Sequence, residues 1–338
     1  MPNNILEIED LRTYYHDRKT VLKAVDGVHL SLERGSVLGI VGESGCGKST
    51  LALSILNLVP HPGHIGSGRV LFEGRNIFEM SASELRSLRG RQISMIFQDP
   101  VAGLNPVLSV GQQVEEIITT HTGIGKSEAR RMSLDLLASM GLPDPSRIAD
   151  RYPFQLSGGM AQRVMIAIAT ALQPSVLIAD EPTSALDMTV QAQILEELRR
   201  LQRTGVSIIL ITHDLGVIAQ MADNVAVMYA GRIAEEGDVE SIFKRPRHPY
   251  TWSLLASLPR IDEDVGRLRH VRGRPPDMTK LPDQCAFVPR CPKVRNECRA
   301  LDSPPLEFIE GTHRVACYNP MYHAEEGDDG HIDDDIED

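Results

Sequence analysis

The sequence contains no apolar run that approaches the ~18 residues a helix needs to span a membrane. Its first segment, Met1 to Asp10, lacks the basic flank and apolar stretch of a secretory signal, so we expect none. An internal repeat is also missing. We therefore expect a cytosolic protein that reaches a membrane only by docking on a membrane protein.

Lysine and arginine are absent after Arg314, and the segment 324–338 carries nine acids. Without those nine, the net charge of −11 becomes −2. A nearly neutral body with an acidic end offers no electrostatic reason for nucleic-acid binding. We expect the segment 324–338 to be a solvated, disordered tail.

Cysteine is scarce, and four of the five residues lie close together in the sequence, at Cys285, Cys291, Cys298 and Cys317. In a reducing cytosol this clustering favours a metal site over disulfides. The spacing C-x5-C-x6-C-x18-C lacks the CxxC pairs of a zinc ribbon. Four thiolates can hold either Zn²⁺ or a [4Fe–4S] cluster, and the residues alone leave both possibilities open.

The segment 42–50 has the pattern G-x-x-x-x-G-K-S/T of a phosphate-binding loop. It comprises Gly42, Glu43, Ser44, Gly45, Cys46, Gly47, Lys48, Ser49 and Thr50. A short apolar run, Val37 to Val41, predicts a buried strand before it, and Ser49 to Leu58 predicts a helix after it. The glycines let the backbone curve around an anion, Lys48 can reach the β- and γ-phosphates, and Ser49 can offer a hydroxyl to Mg²⁺.

Polar residues end three other predicted buried strands. Gln98 follows Ile93 to Phe97, the pair Asp180-Glu181 follows Val176 to Ala179, and His213 closely follows Val206 to Ile211. The carboxyl ends of strands are where open α/β sheets place their ligands. Two carboxylates at such an end suit Mg²⁺ binding and the activation of a water molecule.

Between these strands, helical periodicity predicts a helical insert at about residues 101–173. Its helices are expected over Val110–Thr120, Lys126–Met140 and Gly159–Leu172. Ser157 is a natural N-cap of the last helix, and Gly158 and Gly159 expose backbone N–H groups at its positive end. This start predicts a second anion site.

Residues 5–40 alternate apolar segments with turns, and strands are predicted there over Ile5–Ile8 and Val25–Leu32. After Pro60, a polar, Gly-rich stretch over 61–68 precedes a further predicted strand over Gly68–Gly74. Tyr15 lies upstream of the phosphate loop. Its ring can stack on a purine or can be an ordinary strand aromatic, and spacing does not decide between the two.

The order of these motifs over about residues 5–240 resembles the ATPase subunit of ATP-binding-cassette (ABC) transporters. The resemblance implies an α/β fold with a P-loop NTPase (RecA-like) core, an antiparallel β subdomain and the helical insert. It implies ATP and Mg²⁺ as cofactors, and it assigns a role to each predicted residue. Tyr15 would stack on adenine, and Lys48 and Ser49 would bind phosphate and Mg²⁺. Gln98 would form the coupling loop and contact Mg²⁺, and Asp180 would hold Mg²⁺ through water. Glu181 would be the catalytic base, and His213 would contact the γ-phosphate.

The same resemblance implies that the site is shared between two subunits. Ser157, Gly158 and Gly159 would reach the γ-phosphate of the opposite subunit, and Asp187 would lie at the dimer interface.

Further segments resemble the oligopeptide/dipeptide importer ATPases: Phe97–Pro100, Leu104–Pro106, Met160–Val164, Arg247–Thr251, and the ending with Pro289–Pro292 and the four cysteines. Met160 stands where most cassette ATPases carry Gln, but this subfamily commonly has Met there. A shift to Pro-rich composition, marked by Pro246, Pro249 and Pro259, predicts a domain boundary near residue 236. We therefore expect a cassette domain over 1–236 and a small Cys-rich C-terminal domain over 237–323. The resemblance bears on what the cysteines hold. It favours the [4Fe–4S] cluster, with Zn²⁺ as the alternative.

The subfamily implies work at the cytoplasmic face of the cell membrane. Expected partners are two transmembrane permease subunits, a second homologous ATPase and, indirectly, an extracytoplasmic substrate-binding protein. The cargo could also be nickel chelates or other small solutes. A soluble non-transport cassette ATPase is disfavoured, because such proteins usually carry two cassettes or a long coiled-coil insert. An exporter ATPase is disfavoured because its typical ending lacks the cysteines.

We also expect replacement of these cysteines to leave nucleotide binding at Lys48 largely intact.

Overall fold

The computed structural model describes residues 3–17, 19–184, 186–257 and 271–322. The strands, in chain order, are β1 (Asn4–His16), β2 (Val21–Glu33), β3 (Val37–Val41), β4 (Gly63–Phe72), β5 (Arg75–Asn76), β6 (Ile93–Ile96), β7 (Val176–Asp180), β8 (Ser207–Ile211), β9 (Asn224–Tyr229), β10 (Arg232–Asp238), β11 (Glu307–Glu310) and β12 (His313–Val315). The predicted acidic tail, 324–338, lies outside the described residues.

The α-helices alternate with the strands of the larger sheet. They are α1 (Lys48–Ile55), α2 (Ala82–Leu88), α3 (Val110–Thr122), α4 (Lys126–Ser139), α5 (Pro145–Ala149), α6 (Gly158–Thr170), α7 (Met188–Arg203), α8 (Leu215–Met221), α9 (Val239–Lys244), α10 (Pro249–Leu255) and α11 (Asn296–Ala300). Within the described ranges, none of the helices is both long enough and apolar enough to cross a membrane.

The larger sheet has the order β11-β12-β10-β9-β3-β8-β7-β6. Its central strands β9, β3, β8, β7 and β6 are parallel. The apolar runs that predicted β3, β7 and β8 are buried along their whole length, as expected for strands covered on both faces. Because these strands are parallel, the residues that follow β3, β6, β7 and β8 meet at one edge of the sheet.

The smaller sheet, β2-β1-β4-β5, is antiparallel. The first two predicted strands are parts of longer ones. The strand predicted from Gly68 begins five residues earlier, because β4 already starts at Gly63 in the polar, Gly-rich stretch. There Gly63 and His64 pair with Tyr15 and Tyr14 of β1. Pairing with a neighbouring strand thus overrides the turn preference of a Gly-rich segment.

The helical insert is confirmed. Helices α3, α4, α5 and α6 fill the chain between β6 and β7. Ser109 caps α3 with a reciprocal capping box to Gln112. Apolar residues of these helices belong to the same buried cluster as one face of the large sheet. The insert therefore packs against the sheet on which the predicted site lies.

The segment predicted as the C-terminal domain, 237–323, is called the C-terminal extension below, and it joins the large sheet through β12. Strand β12 pairs with β10, with Glu235 opposite Val315 and Glu236 opposite Arg314. The predicted domain boundary near residue 236 falls inside β10, so one sheet crosses it. The buried side chains of Tyr250 and Phe287 also belong to the core cluster of the sheet. The division into a cassette and a separate Cys-rich domain stays a prediction.

Candidate functional site

The phosphate-binding loop connects β3 to α1, which begins at Lys48, one residue before the predicted start. Two of its glycines have no room for a side chain. A Cβ on Gly47 (φ 109°) would lie 2.0 Å from the carbonyl oxygen of Ala24, and one on Gly42 would lie 2.2 Å from that of Met228. Only glycine fits such approaches, so the neighbouring strands fix the path of the loop.

Lys48 is buried beneath this loop. Its Nζ donates hydrogen bonds to the carbonyl oxygens of Gly42, at 2.7 Å, and Glu43, at 3.0 Å. Cys46 is also buried, beside Gly42 and Lys48. The loop backbone is therefore held from inside by its own lysine.

A cavity of about 430 Å³ lies above the loop at the edge where the parallel strands end. It is lined by Ser44, Gly45, Gly47, Lys48, Ser49, Thr50, Gln98, Glu181 and His213, together with Leu22 and Ala24 of β2. Residues far apart in the sequence thus meet as predicted. Sequence reasoning missed Leu22 and Ala24, because two apolar residues in a strand carry no signal of ligand contact.

Asp180 ends β7 next to the loop. Burial raises the pKa of its carboxyl group, and a hydrogen bond from the Ser49 hydroxyl opposes that rise. Its Oδ1 atom is buried and has no hydrogen-bond partner among the described residues. An unpaired buried carboxylate oxygen is costly, and it is well suited to hold a cation or its water shell. The residues present therefore fit a Mg²⁺ ion at this point.

Glu181 has a backbone φ of 50°, a left-handed conformation that is disfavoured for a residue with a Cβ. Its N–H donates to the carbonyl of Ile211 at 2.8 Å, which ties it to the end of β8. Its carboxylate oxygens lie 2.8 and 2.9 Å from Nδ1 of His213. Strained residues of this kind concentrate at functional sites. The left-handed backbone conformation and the contact with His213 together orient the Glu181 carboxylate toward the cavity.

Several predicted residues lie elsewhere. Ser157 caps α6 by accepting the Met160 N–H at 3.3 Å, and neither it nor Gly158 and Gly159 lines the cavity. Asp187 caps α7. Tyr15 pairs with Leu22, a cavity residue, but it does not itself line the cavity. The adenine contact of Tyr15 and the shared role of the Ser157 segment stay predictions.

The four C-terminal cysteines surround one small cavity beside His248 and Phe287. Backbone N–H groups donate to two of the sulfur atoms, from Lys293 to Cys291 and from Asn319 to Cys317, both at 3.4 Å. Burial raises the pKa of Cys291 to about 11 and that of Cys317 to about 12. Over the part of the chain that the structure describes, no group of three or more His, Cys, Asp or Glu side chains has the arrangement of a metal-ion site. Metal binding here therefore stays a prediction.

Known families match two parts of the chain. Residues 25–184 match the family described as "ABC transporter", and residues 234–298 match "Oligopeptide/dipeptide transporter, C-terminal region". The dipeptide transport ATP-binding protein DppD of Haemophilus influenzae is 46% identical over 318 residues, which are 94% of this chain and 96% of that protein. The oligopeptide transport ATP-binding protein OppD of Bacillus subtilis is 45% identical over 317 residues, 92% of this chain and 87% of that protein.

Solved structures of cassettes share the fold. A dimeric ATP-binding cassette in a post-hydrolysis state with ADP and phosphate has a TM-score of 0.62 at 28% identity, covering 69% of this chain and 98% of its own. A part of an ABC transporter complex of Clostridium perfringens has a TM-score of 0.59 at 31% identity, covering 72% and 92%. The chain belongs to the ATPase subunits of ABC transporters, in the group that carries the oligopeptide/dipeptide transporter C-terminal region.

Proposed function

We propose that this chain is the ATP-hydrolysing motor of a membrane importer for dipeptides and oligopeptides. One observation carries the proposal. The phosphate loop, Gln98, Glu181 and His213 meet in a single cavity, in a chain whose relatives are named as dipeptide and oligopeptide transport proteins over nearly their whole length.

The residues of the cavity divide the work of hydrolysis. Lys48, Ser49, Asp180 and Gln98 would hold ATP and Mg²⁺, and the bound ion supplies neutralisation of phosphate charge. Glu181 orients the attacking water and accepts its proton. His213 holds the Glu181 carboxylate and presents its exposed ring edge toward the cavity. Because Glu181 is fixed from both its backbone and its side chain, little reorganisation is needed during the reaction.

A second subunit would complete the site. The segment Ser157–Gly159 is helix-capping and glycine-rich, and it does not line the cavity of its own chain. Beside the Asp187 cap, the Met188 side chain is 86% exposed. We infer that these surfaces face a second, homologous ATPase subunit in a head-to-tail pair. Activity of the ATPase should therefore depend on protein concentration, and full turnover by dilute monomer would contradict the pairing.

Apolar side chains are exposed in the segment after β6, which contains Gln98, and in the segment before α6. Phe97, Val101, Val107, Tyr152 and Phe154 are all exposed, and the last two rings stack with centroids 5.7 Å apart. The Val110 N–H donates to the Arg151 carbonyl at 2.8 Å, which brings the two loops together. Exposed apolar patches of this kind mark interaction sites. We assign this patch to the two permease subunits, which would place the chain at the cytoplasmic face of the membrane.

We further propose that the four cysteines hold a [4Fe–4S] cluster, with Zn²⁺ as the alternative. Their placement around one cavity and the two N–H···S bonds support a four-thiolate ligand set. Anaerobic purification followed by iron, sulfide and zinc analysis distinguishes the two. Cys317→Ser should remove the metal and Cys46→Ser should not. Metal-free protein with a folded extension would reject both forms.

Uptake by the assembled system tests the function. The chain, its second ATPase and the permease subunits are reconstituted in vesicles with the substrate-binding protein, and uptake of labelled dipeptides and longer peptides is measured with and without ATP. We expect ATP-dependent peptide accumulation that Lys48→Ala abolishes. Accumulation of nickel chelates but not peptides would reassign the cargo. Turnover that no permease stimulates would favour a soluble ATPase.

A further inference from the structure

Glu43, the second residue of the phosphate loop, has each of its polar groups bound. Its carbonyl accepts from Lys48 within the loop, at 3.0 Å. Its N–H donates to the Tyr250 hydroxyl at 2.8 Å. Its carboxylate receives two hydrogen bonds from the Arg290 guanidinium, at 2.6 and 2.7 Å. Tyr250 and Arg290 both belong to the C-terminal extension, so the extension reaches directly into the nucleotide-binding loop.

On the side of the extension, the residues that make these contacts are buried. Tyr250 is fully enclosed, and the Arg290 side chain is only 5% exposed. Arg290 is further held by Nε, which donates to the Arg272 carbonyl at 2.7 Å, and its guanidinium lies about 6 Å from the ring centres of Tyr229 and Phe287. A bidentate ion pair between a guanidinium and a carboxylate is rigid and strongly directional in such surroundings. It therefore fixes the orientation of Glu43.

Arg290 also adjoins the four-cysteine cavity. It ends a short 3₁₀ turn, Val288–Arg290, and directly precedes Cys291. On the other side of the turn, the carbonyl of Cys285 accepts the Val288 N–H at 3.2 Å. Two of the four cysteines thus bracket the turn that carries Arg290. The turn therefore links these two cysteines to the guanidinium that holds Glu43.

We propose that Arg290 and Tyr250 are positioning residues for the phosphate loop, and that through Arg290 the four-cysteine site is coupled to nucleotide binding. The inference rests on the proposed nucleotide site but not on the identity of any metal. Lys48 is bound here to two loop carbonyls, one of them from Glu43, and it must turn toward phosphate when nucleotide binds. Because Arg290 and Tyr250 hold Glu43, they set how far the loop backbone can shift when the Lys48 side chain rotates toward phosphate. This coupling replaces the expectation that the cysteines leave nucleotide binding intact.

The affinity of the purified full chain for a fluorescent ATP analogue with Mg²⁺ tests the positioning role. Arg290→Met and Tyr250→Phe should each weaken binding by about tenfold, the loss expected for one buried charged or polar contact. Arg314→Met is the matched control, because it removes an ion pair of the extension with Glu236, away from the loop. It should bind as the wild type does. Tyr250→Phe removes a single oxygen and decides the question if Arg290→Met does not fold.

A double-mutant cycle tests the coupling. Cys291→Ser should weaken nucleotide binding in the wild-type background and should have no further effect in the Arg290→Met background. Fully additive effects would overturn the coupling. Affinities of Arg290→Met and Tyr250→Phe equal to that of Arg314→Met would overturn the positioning role. A wild-type chain that binds no nucleotide would overturn the proposed function and this inference together, whereas a binding wild type with unaffected variants overturns only the inference.

Discussion

The nucleotide cavity and the four-cysteine cavity are built in different ways. The first lies at the ends of four parallel strands, where a ladder of backbone hydrogen bonds places Gln98, Asp180, Glu181 and the loop. The second lies in the extension, where turns and the short helix α11 bring the sulfur atoms together. The first site is therefore fixed by the backbone of the sheet, whereas the second depends on contacts of turns and side chains.

The chemistry of the first site offers the largest effect. Glu181→Gln keeps the shape of the side chain and removes the proton acceptor, so turnover in the assembled transporter should fall by about 10²–10⁴ with ATP binding intact. A closed dimer with bound ATP should accumulate. Glu196→Gln, on the exposed face of α7, is the control and should keep normal turnover. Nearly normal turnover in Glu181→Gln would remove Glu181 from its assigned role.

The next largest effect should come from the residue that anchors the C-terminal extension to the large sheet. Glu235 is fully buried and accepts hydrogen bonds from the His248 N–H at 2.8 Å and the Arg247 N–H at 2.5 Å, and its carboxylate lies 2.7 Å from His313 Nε2. Glu235→Ala leaves these groups unpaired and should destabilise the extension by about 3–5 kcal/mol. Urea unfolding followed with proteolysis of the extension measures the change.

The control for Glu235→Ala is Glu310→Ala, which removes a solvent-exposed carboxylate near Arg245 and Arg247. It should cost less than about 1 kcal/mol. If Glu235→Ala costs no more than Glu310→Ala, the extension is not held through this carboxylate.

The backbone of the first site can be tested by adding one methyl group. Gly47→Ala forces a Cβ against the Ala24 carbonyl, so we expect a cost of about 2–3 kcal/mol and a corresponding loss of nucleotide affinity. Gly35→Ala is the matched control, because that glycine also has a positive φ but has open space around its Cβ position. The two variants are compared by nucleotide titration. Equal affinities would show that the close approach does not shape the loop.

The smallest effect should come from Cys46→Ser, which separates the fifth cysteine from the other four. Cys46 is buried beside the loop and does not line the four-cysteine cavity. A hydroxyl in place of its thiol should cost about 1 kcal/mol of stability and should leave the metal content unchanged. Metal content is measured beside that of Cys285→Ser. Loss of metal in Cys46→Ser would make the two regions one site.

The sequence predicted the strands of the larger sheet best where apolar runs end in polar residues. Val37 to Val41 and Val176 to Ala179 are such runs. A strand that is covered on both faces needs apolar side chains at successive positions, so it appears in the sequence as a continuous apolar run. The sequence placed the start of β4 at Gly68 instead of Gly63, because the pairing partner β1 lies far away in the chain. Local composition cannot report a cross-strand neighbour.

The sequence alone predicts the chemistry of the nucleotide site. A phosphate loop needs glycines, a lysine and a hydroxyl at fixed spacing, and the carboxyl ends of parallel strands meet at one edge whatever the intervening chain does. It also determined that four cysteines are available in the C-terminal part. The folded chain was needed to show that these cysteines surround one cavity and that Arg290 and Tyr250 hold Glu43. Those contacts join residues about 200 positions apart or more, and no periodicity or spacing in a sequence encodes which distant side chains will face each other.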